Sequence, residues 1–459
     1  MRAPSAPSAP FPAAAPAPAP APALVRALGP WALAAGIVNV TVGGGIFRLP
    51  AAVAAQLGAA APLAYLVCAA AMGLIVLCFA EAGSRVAMTG GPYAYVETAF
   101  GPFVGFLAGV LLWLVGTFAL AAVATLLADA LGGFVPGGLG PAARGALLAA
   151  VLALLAAVNV GGVRQGARLN TAATVAKLVP LAVVVIAGAF LVRGANLRPD
   201  PAAGGPALTA ASLGRSAVVL IFAFAGVESA LVPSGEVRDA PRTVPRALAR
   251  AMCAVTLLYV AVQLVAQGVL GSALAASPAP LADVAERALG APGRALLLAG
   301  AAVSMFGYVS GMTLAVPRAL YAFARDGRLP AALARVHPRH RTPHVAIWAQ
   351  TALVWALAAS GTFEPLAVLA NVSTLALYAA CCVAAWALHH RDVRLLPPDA
   401  AAGAARVPFH PLVPPAALLV IAFILVSVTA REWAVVAGVL ALAAAGYALT
   451  RGRRAAAPA

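Results

Sequence analysis

Of 459 residues, 63% are hydrophobic and only 10% charged, which excludes an ordinary soluble protein. The apolar residues fall in repeated runs long enough to cross a bilayer, so the fold class expected is an all-α membrane protein. A formal net charge of +16 would suggest a nucleic-acid partner in a soluble chain. Here the arginines sit in loops between apolar runs and report topology, which leaves the lipid bilayer and no nucleic acid as the expected surroundings.

The chain opens on 1–23, almost entirely Ala and Pro, with no apolar h-region or cleavage site, so it reads as a disordered tail and not a signal peptide. Twelve spans follow: Pro30–Ala54, Pro62–Val86, Ala99–Leu131, Arg144–Val160, Thr171–Val192, Leu213–Ser234, Ala247–Leu270, Arg294–Ala322, Val345–Ser360, Leu366–Leu388, Leu412–Val428 and Trp433–Ala448. With the N-terminus inside, 21 of the 30 basic residues lie in cytoplasmic loops and seven outside, while Arg48 and Lys177 lie within spans. This positive-inside bias puts both termini in the cytoplasm and leaves 451–459 as a short cytoplasmic tail.

Span one carries Gly43-Gly44-Gly45 at its middle. Three glycines disfavour helix there, and unwound backbone at that depth is tolerated only inside protein or against a cavity. Span six repeats the device at Phe224-Ala225-Gly226-Val227-Glu228, with a glutamate inside an apolar run. Two interrupted spans, each opening a half of five, are the mark of an inverted-repeat secondary transporter. The halves are 24–192 and 212–388, with 412–448 outside the repeat and 24–450 forming one transporter domain.

The interruptions suggest a site for a zwitterion. Carbonyls from Val40 and Thr41 would face its ammonium, and N–H groups at Gly45, Ile46 and Phe47 its carboxylate. Span six would add carbonyls from Phe222 to Ala225, including Ala223, and Phe222 could cap the substrate. Glu228 could relay protons, hold a gate or orient the unwound backbone. Lys177, the chain's one lysine, could replace a sodium ion or, through a burial-depressed pKa, carry a proton. Arg48 should snorkel outward or pair with a lipid or a loop acid, and Glu81 should pair with Arg85 one turn on. His337, His340 and His344 sit among arginines and prolines, and no metal site is expected there. The five cysteines lie in apolar runs without CxxC spacing and read as helix filler. No nucleophile–base set or phosphate loop stands out, so neither enzyme chemistry nor a cofactor is expected.

These motifs carry a resemblance. Val42-Gly43-Gly44-Gly45-Ile46-Phe47, Gly90-Gly91-Pro92-Tyr93-Ala94-Tyr95 with Phe100-Gly101-Pro102, and Phe224-Ala225-Gly226-Val227-Glu228-Ser229 occur in order. They are followed by Gly235-Glu236-Val237-Arg238, Val244-Pro245-Arg246-Ala247, and Ala324-Arg325-Asp326-Gly327-Arg328-Leu329-Pro330 with Arg341-Thr342-Pro343. The chain resembles the amino acid–polyamine–organocation family, near its L-type transporters and the bacterial arginine/agmatine antiporter. That resemblance implies a LeuT-like five-plus-five inverted repeat with broken helices one and six. It implies carboxylate binding at Gly43, Gly44 and Gly45, gating by Phe222, and an outer gate using Tyr93 and Glu228. Phe222 replaces the antiporter's tryptophan, which weakens the case for arginine. Lys177 matches a lysine that stands in for sodium in proton-coupled members. The function expected is sodium-independent, proton-coupled transport of neutral amino acids across the inner or plasma membrane. The alternatives are obligate exchange, a cationic amino acid or polyamine permease, and a non-transporting sensor. Substrate identity and oligomeric state are not legible.

Overall fold

The computed structural model describes residues 29–86, 91–132, 135, 139–161, 178–198, 208–231, 237, 239–340, 342–395 and 411–455. Lys177, the leader 1–23 and the motif residues Gly90, Gly235, Glu236, Arg238 and Arg341 lie outside them. The described chain is all-α, built from α1 (Pro30–Thr41), α2 (Leu49–Leu57), α3 (Ala61–Arg85), α4 (Pro92–Phe100), α5 (Pro102–Gly132), α6 (Pro141–Gly161) and α7 (Leu178–Ala189). It continues with α8 (Ala210–Phe224), α9 (Val227–Ala230), α10 (Ala240–Leu270), α11 (Pro280–Ala315), α12 (Pro317–Arg325) and α13 (His344–Ser360). The last are α14 (Phe363–His390), α15 (Val413–Val426) and α16 (Ala430–Ala455). Among the described residues, seven segments are long and apolar enough to cross a membrane, and α7, α8, α13 and α15 are shorter apolar helices.

Proline starts many of these helices. It stands in the first turn of α1, α2, α3, α4, α10, α11, α12 and α15, where its missing N–H costs no intrahelical bond. The start of α8 uses a capping box instead, with Thr209 and Ser212 each accepting from the other's backbone N–H. Two features escape the span pattern. The short helix α4 precedes α5 across Gly101, whose φ of 86° suits glycine. Similarly, α11 begins at Pro280, well before the expected Arg294, and bends at Gly290.

The helices form two groups. One joins α1, α2, α3, α8 and α10, with α3 and α1 both packed on α10 and α2 on α8. The other joins α5, α6, α11 and α13, while α14 packs against both α3 and α5. Small residues allow close approach to α5: Gly116 leaves no room for a Cβ beside Val316, and Gly109 faces the Phe323 ring of α12. The 3₁₀ turn Gly44–Phe47 between α1 and α2 touches α11 and α5, so the interruption of the first span lies where the two groups meet.

At the Arg85 end of the bundle, charges tie α3 to α14. Arg85 Nε is 2.5 Å from Glu81 Oε1, as the one-turn spacing predicts. Its Nη1 also reaches Asp392 Oδ1 at 3.0 Å and the Leu388 carbonyl at 3.3 Å. His389 Nδ1 lies 2.7 Å from Glu81 Oε1 and 3.2 Å from Arg85 Nη2. That nitrogen donates to Glu81 or accepts from Arg85, and cannot do both at once. Burial of Glu81 and Arg85 makes the cluster a structural fastening rather than a surface ion pair.

Candidate functional site

The helix α1 stops at Thr41. Val42 still donates to Val38, but Gly43 folds back to donate to the Thr41 carbonyl at 2.8 Å. The chain resumes as the 3₁₀ turn Gly44–Phe47, whose first N–H groups, on Gly44 and Gly45, have no acceptor in a preceding turn. In the sixth segment, α8 stops at Phe224. Ala225 turns to extended angles and Gly226 adopts a φ of 119°, which a residue with a Cβ adopts only under strain. A Cβ at Gly226 would also come within 3.0 Å of Val40 Cγ1 and 3.1 Å of the Val40 carbonyl carbon. The two interruptions therefore touch.

Two side chains hold them. Glu228 is buried, and its two carboxylate oxygens accept from the Gly226 N–H at 3.0 and 2.9 Å. The Tyr378 hydroxyl of α14 donates to Glu228 Oε2 at 2.6 Å. Glu228 thus captures the N–H that breaking the helix sets free. From α10, the Tyr259 hydroxyl lies 3.0 Å from the Thr41 carbonyl and 2.8 Å from the Ala223 carbonyl. One proton is shared between the ends of two helices.

Around this junction is a narrow cavity of about 30 Å³. Its walls include Val40, Thr41, Gly43 and Gly44 from the first break, and Phe222, Ala225, Gly226 and Glu228 from the second. Val115, Ala119 and Val123 of α5, Tyr308 and Met312 of α11, and Ala370, Asn371 and Thr374 of α14 complete it. Phe222 covers Gly45, where a Cβ would come within 2.9 Å of the ring, and meets Phe363 edge-on at 5.3 Å. No group of three or more His, Cys, Asp or Glu side chains among the described residues could hold a metal ion.

A family model described as "Amino acid permease" matches residues 28–442. The chain belongs to that family. The methylthioribose transporter of Bacillus subtilis (strain 168) is 27% identical to the permease over 407 residues, 85% of this chain and 86% of the relative. The serine/threonine exchanger SteT of the same organism is 28% identical, covering 69% of this chain and 73% of its own. The branched-chain amino acid permease BcaP, also from that strain, is 26% identical over 88% of each chain. Family and relatives are transporters rather than enzymes.

Of the residues picked from the permease's sequence, Val40, Thr41, Gly43, Gly44, Phe222, Ala225 and Glu228 share this cavity. Gly45 and Ile46 are buried in the 3₁₀ turn, and Ala223 faces Tyr259. The geometry narrows several of these expectations. The Thr41 carbonyl already accepts from Gly43 and competes with Ala223 for the Tyr259 proton, so at most one of its lone pairs is open to a ligand. The helix resumes at Gly44, which moves the free N–H groups from Gly45, Ile46 and Phe47 back to Gly44 and Gly45. Arg48 donates to the Pro278 carbonyl at 2.7 Å, an exposed contact in keeping with an arginine that snorkels. Tyr93 is no wall of the cavity. It lies on α4 at the Arg85 end of α3, beside Gly109, away from the end where Arg48 meets Pro278.

Residues absent from the sequence reading, Tyr259, Tyr308, Asn371, Thr374 and Tyr378, stand on α10, α11 and α14. Their one signal was a polar side chain inside an apolar run.

Proposed function

We propose that the permease is a secondary active amino acid transporter that works by alternating access, with the two interruptions as the substrate site. The observation that carries this reading is their contact: backbone freed at mid-span in two distant parts of the chain converges on one cavity. The substrate carboxylate is received by the Gly44 and Gly45 N–H groups, and its ammonium by last-turn carbonyls such as those of Val40 and Phe222. Phe222 closes over the substrate, and Glu228 holds the unwound backbone and acts in gating. The architecture proposed is twelve spans, the first ten a LeuT-like five-plus-five inverted repeat, in an inner or plasma membrane with both termini cytoplasmic. The two helix groups meeting at Gly44–Phe47 supply surfaces that can rock against each other.

The substrates proposed are neutral amino acids, since the described cavity wall bears one charged side chain, Glu228. Transport is proposed to be sodium-independent and proton-coupled through Lys177, with obligate exchange as the alternative coupling. The test is uptake of labelled amino acids into proteoliposomes, with methylthioribose added to the panel. Saturable uptake driven by an inward proton gradient and indifferent to sodium is expected. Counterflow without net uptake would identify exchange, and no saturable flux of any amino acid would overturn the reading.

A further inference from the structure

Two polar atoms in the cavity wall meet no hydrogen-bond partner among the described residues: Asn371 Oδ1 and Thr41 Oγ1. Both residues are buried, Asn371 completely. The orientation of the Asn371 amide is fixed by chemistry. Its Nδ2 donates to the Val218 carbonyl of α8 at 2.6 Å, and a carbonyl accepts only from the nitrogen, so Oδ1 is left as a bare acceptor. The other polar side chains of the wall are Glu228, Thr374 and Tyr308. Glu228 is held by Gly226 and Tyr378, and the Thr374 hydroxyl donates to the Ala370 carbonyl. The remaining side chains, Val40, Val115, Ala119, Val123, Phe222, Ala225, Met312 and Ala370, offer an apolar surface. An apolar ligand group placed there would leave Asn371 Oδ1 and the Thr41 hydroxyl buried and unpaired, a cost that a ligand bearing its own donor avoids.

We propose that Asn371 and Thr41 form a side-chain subsite that selects small amino acids carrying a hydroxyl, serine and threonine, over apolar ones of similar size. The inference rests on the amino acid transporter reading and adds the substrate class. Asn371 accepts from the substrate hydroxyl, and the Thr41 hydroxyl donates to it or accepts from it. Neither the carboxylate nor the ammonium of the substrate is needed for this contact, so it separates amino acids by side chain alone.

The test is concentration-dependent uptake of labelled serine, alanine, valine and lysine into proteoliposomes. Serine is expected to half-saturate at a concentration about tenfold below alanine and valine, the discrimination of one buried hydrogen bond. Asn371→Leu is expected to reduce that preference to about twofold or less by weakening serine far more than alanine. A wild-type protein that takes alanine, valine or lysine as well as serine would overturn the subsite while leaving the transporter reading intact. An Asn371→Leu variant that weakens all substrates equally would assign Asn371 to the common ammonium and also overturn it. Absence of flux for every amino acid would overturn the transporter reading itself. The wild-type ranking decides the matter even where the variant fails to fold.

Discussion

At the junction of α1 and α8, polar contacts come from backbone groups, hydroxyls and one carboxylate, whereas at the Arg85 end of the bundle they come from ions. The junction leaves atoms unpaired: Asn371 Oδ1 and Thr41 Oγ1 have no partner among the described residues. The Arg85 cluster instead surrounds its cation with Glu81, Asp392, His389 and a carbonyl. A fastening saturates its groups, because a buried charge without a partner is costly. A site for a ligand keeps some groups open and fixes the rest, as Glu228 and Tyr259 do. The difference separates residues that bind from residues that hold.

That contrast is broken most severely at Gly226. Gly226→Val imposes a β-branched side chain on a φ of 119° and drives it into Val40, so uptake is expected to fall to background while protein remains in the membrane fraction. Glu228→Ala should come next, with uptake at subsaturating substrate reduced about 100-fold, because the Gly226 N–H and Tyr378 hydroxyl both lose a charged acceptor. Glu228→Gln restores one acceptor oxygen and should recover part of that loss. Tyr259→Phe removes one hydrogen and one oxygen from between two carbonyls. About a tenfold fall in substrate affinity is expected, measured by binding to purified protein.

Across the comparison, Arg85→Gln should act on stability and spare affinity. Leaving the buried Glu81 carboxylate with His389 as its remaining partner is expected to cost about 3 kcal/mol in detergent unfolding, with the half-saturation constant of surviving protein within about twofold of wild type. A large change in affinity would show that the cluster takes part in transport. Asp392 gives the smallest effect. The Arg85 hydrogen bond, then Arg394, holds its carboxyl below the usual aspartate range. Its folded value is thus lower than its unfolded one, so its contribution is present above about pH 4 and lost as pH falls through the folded value. Asp392→Asn should lower the melting temperature slightly at neutral pH and match wild type in strong acid.

Much of this was legible in the chain. The glycine triplet and Phe224-Ala225-Gly226 marked both interruptions, and Glu228 stood out as an acid in an apolar run. The Glu81–Arg85 pair followed from helical spacing. What hydropathy could not show was α4 or the early start of α11, because short helices lying against the bundle lack a bilayer-length apolar run. Nor could it place Tyr259, Asn371 and Tyr378. Each joins the site by packing between helices distant in sequence, which local pattern does not encode. The misassigned N–H groups had a different source: the chain restarts as a 3₁₀ turn, so its register differs from that of an α-helix by a residue.

The central claim is that both interruptions grip one substrate, and a density map of the purified protein with saturating serine tests it most directly. Ligand density is expected between Gly44–Gly45 and Phe222–Ala225, its side chain toward Asn371. Density confined to the open cleft by Ser277, Asp283 and Arg287, with the junction unchanged, would contradict it.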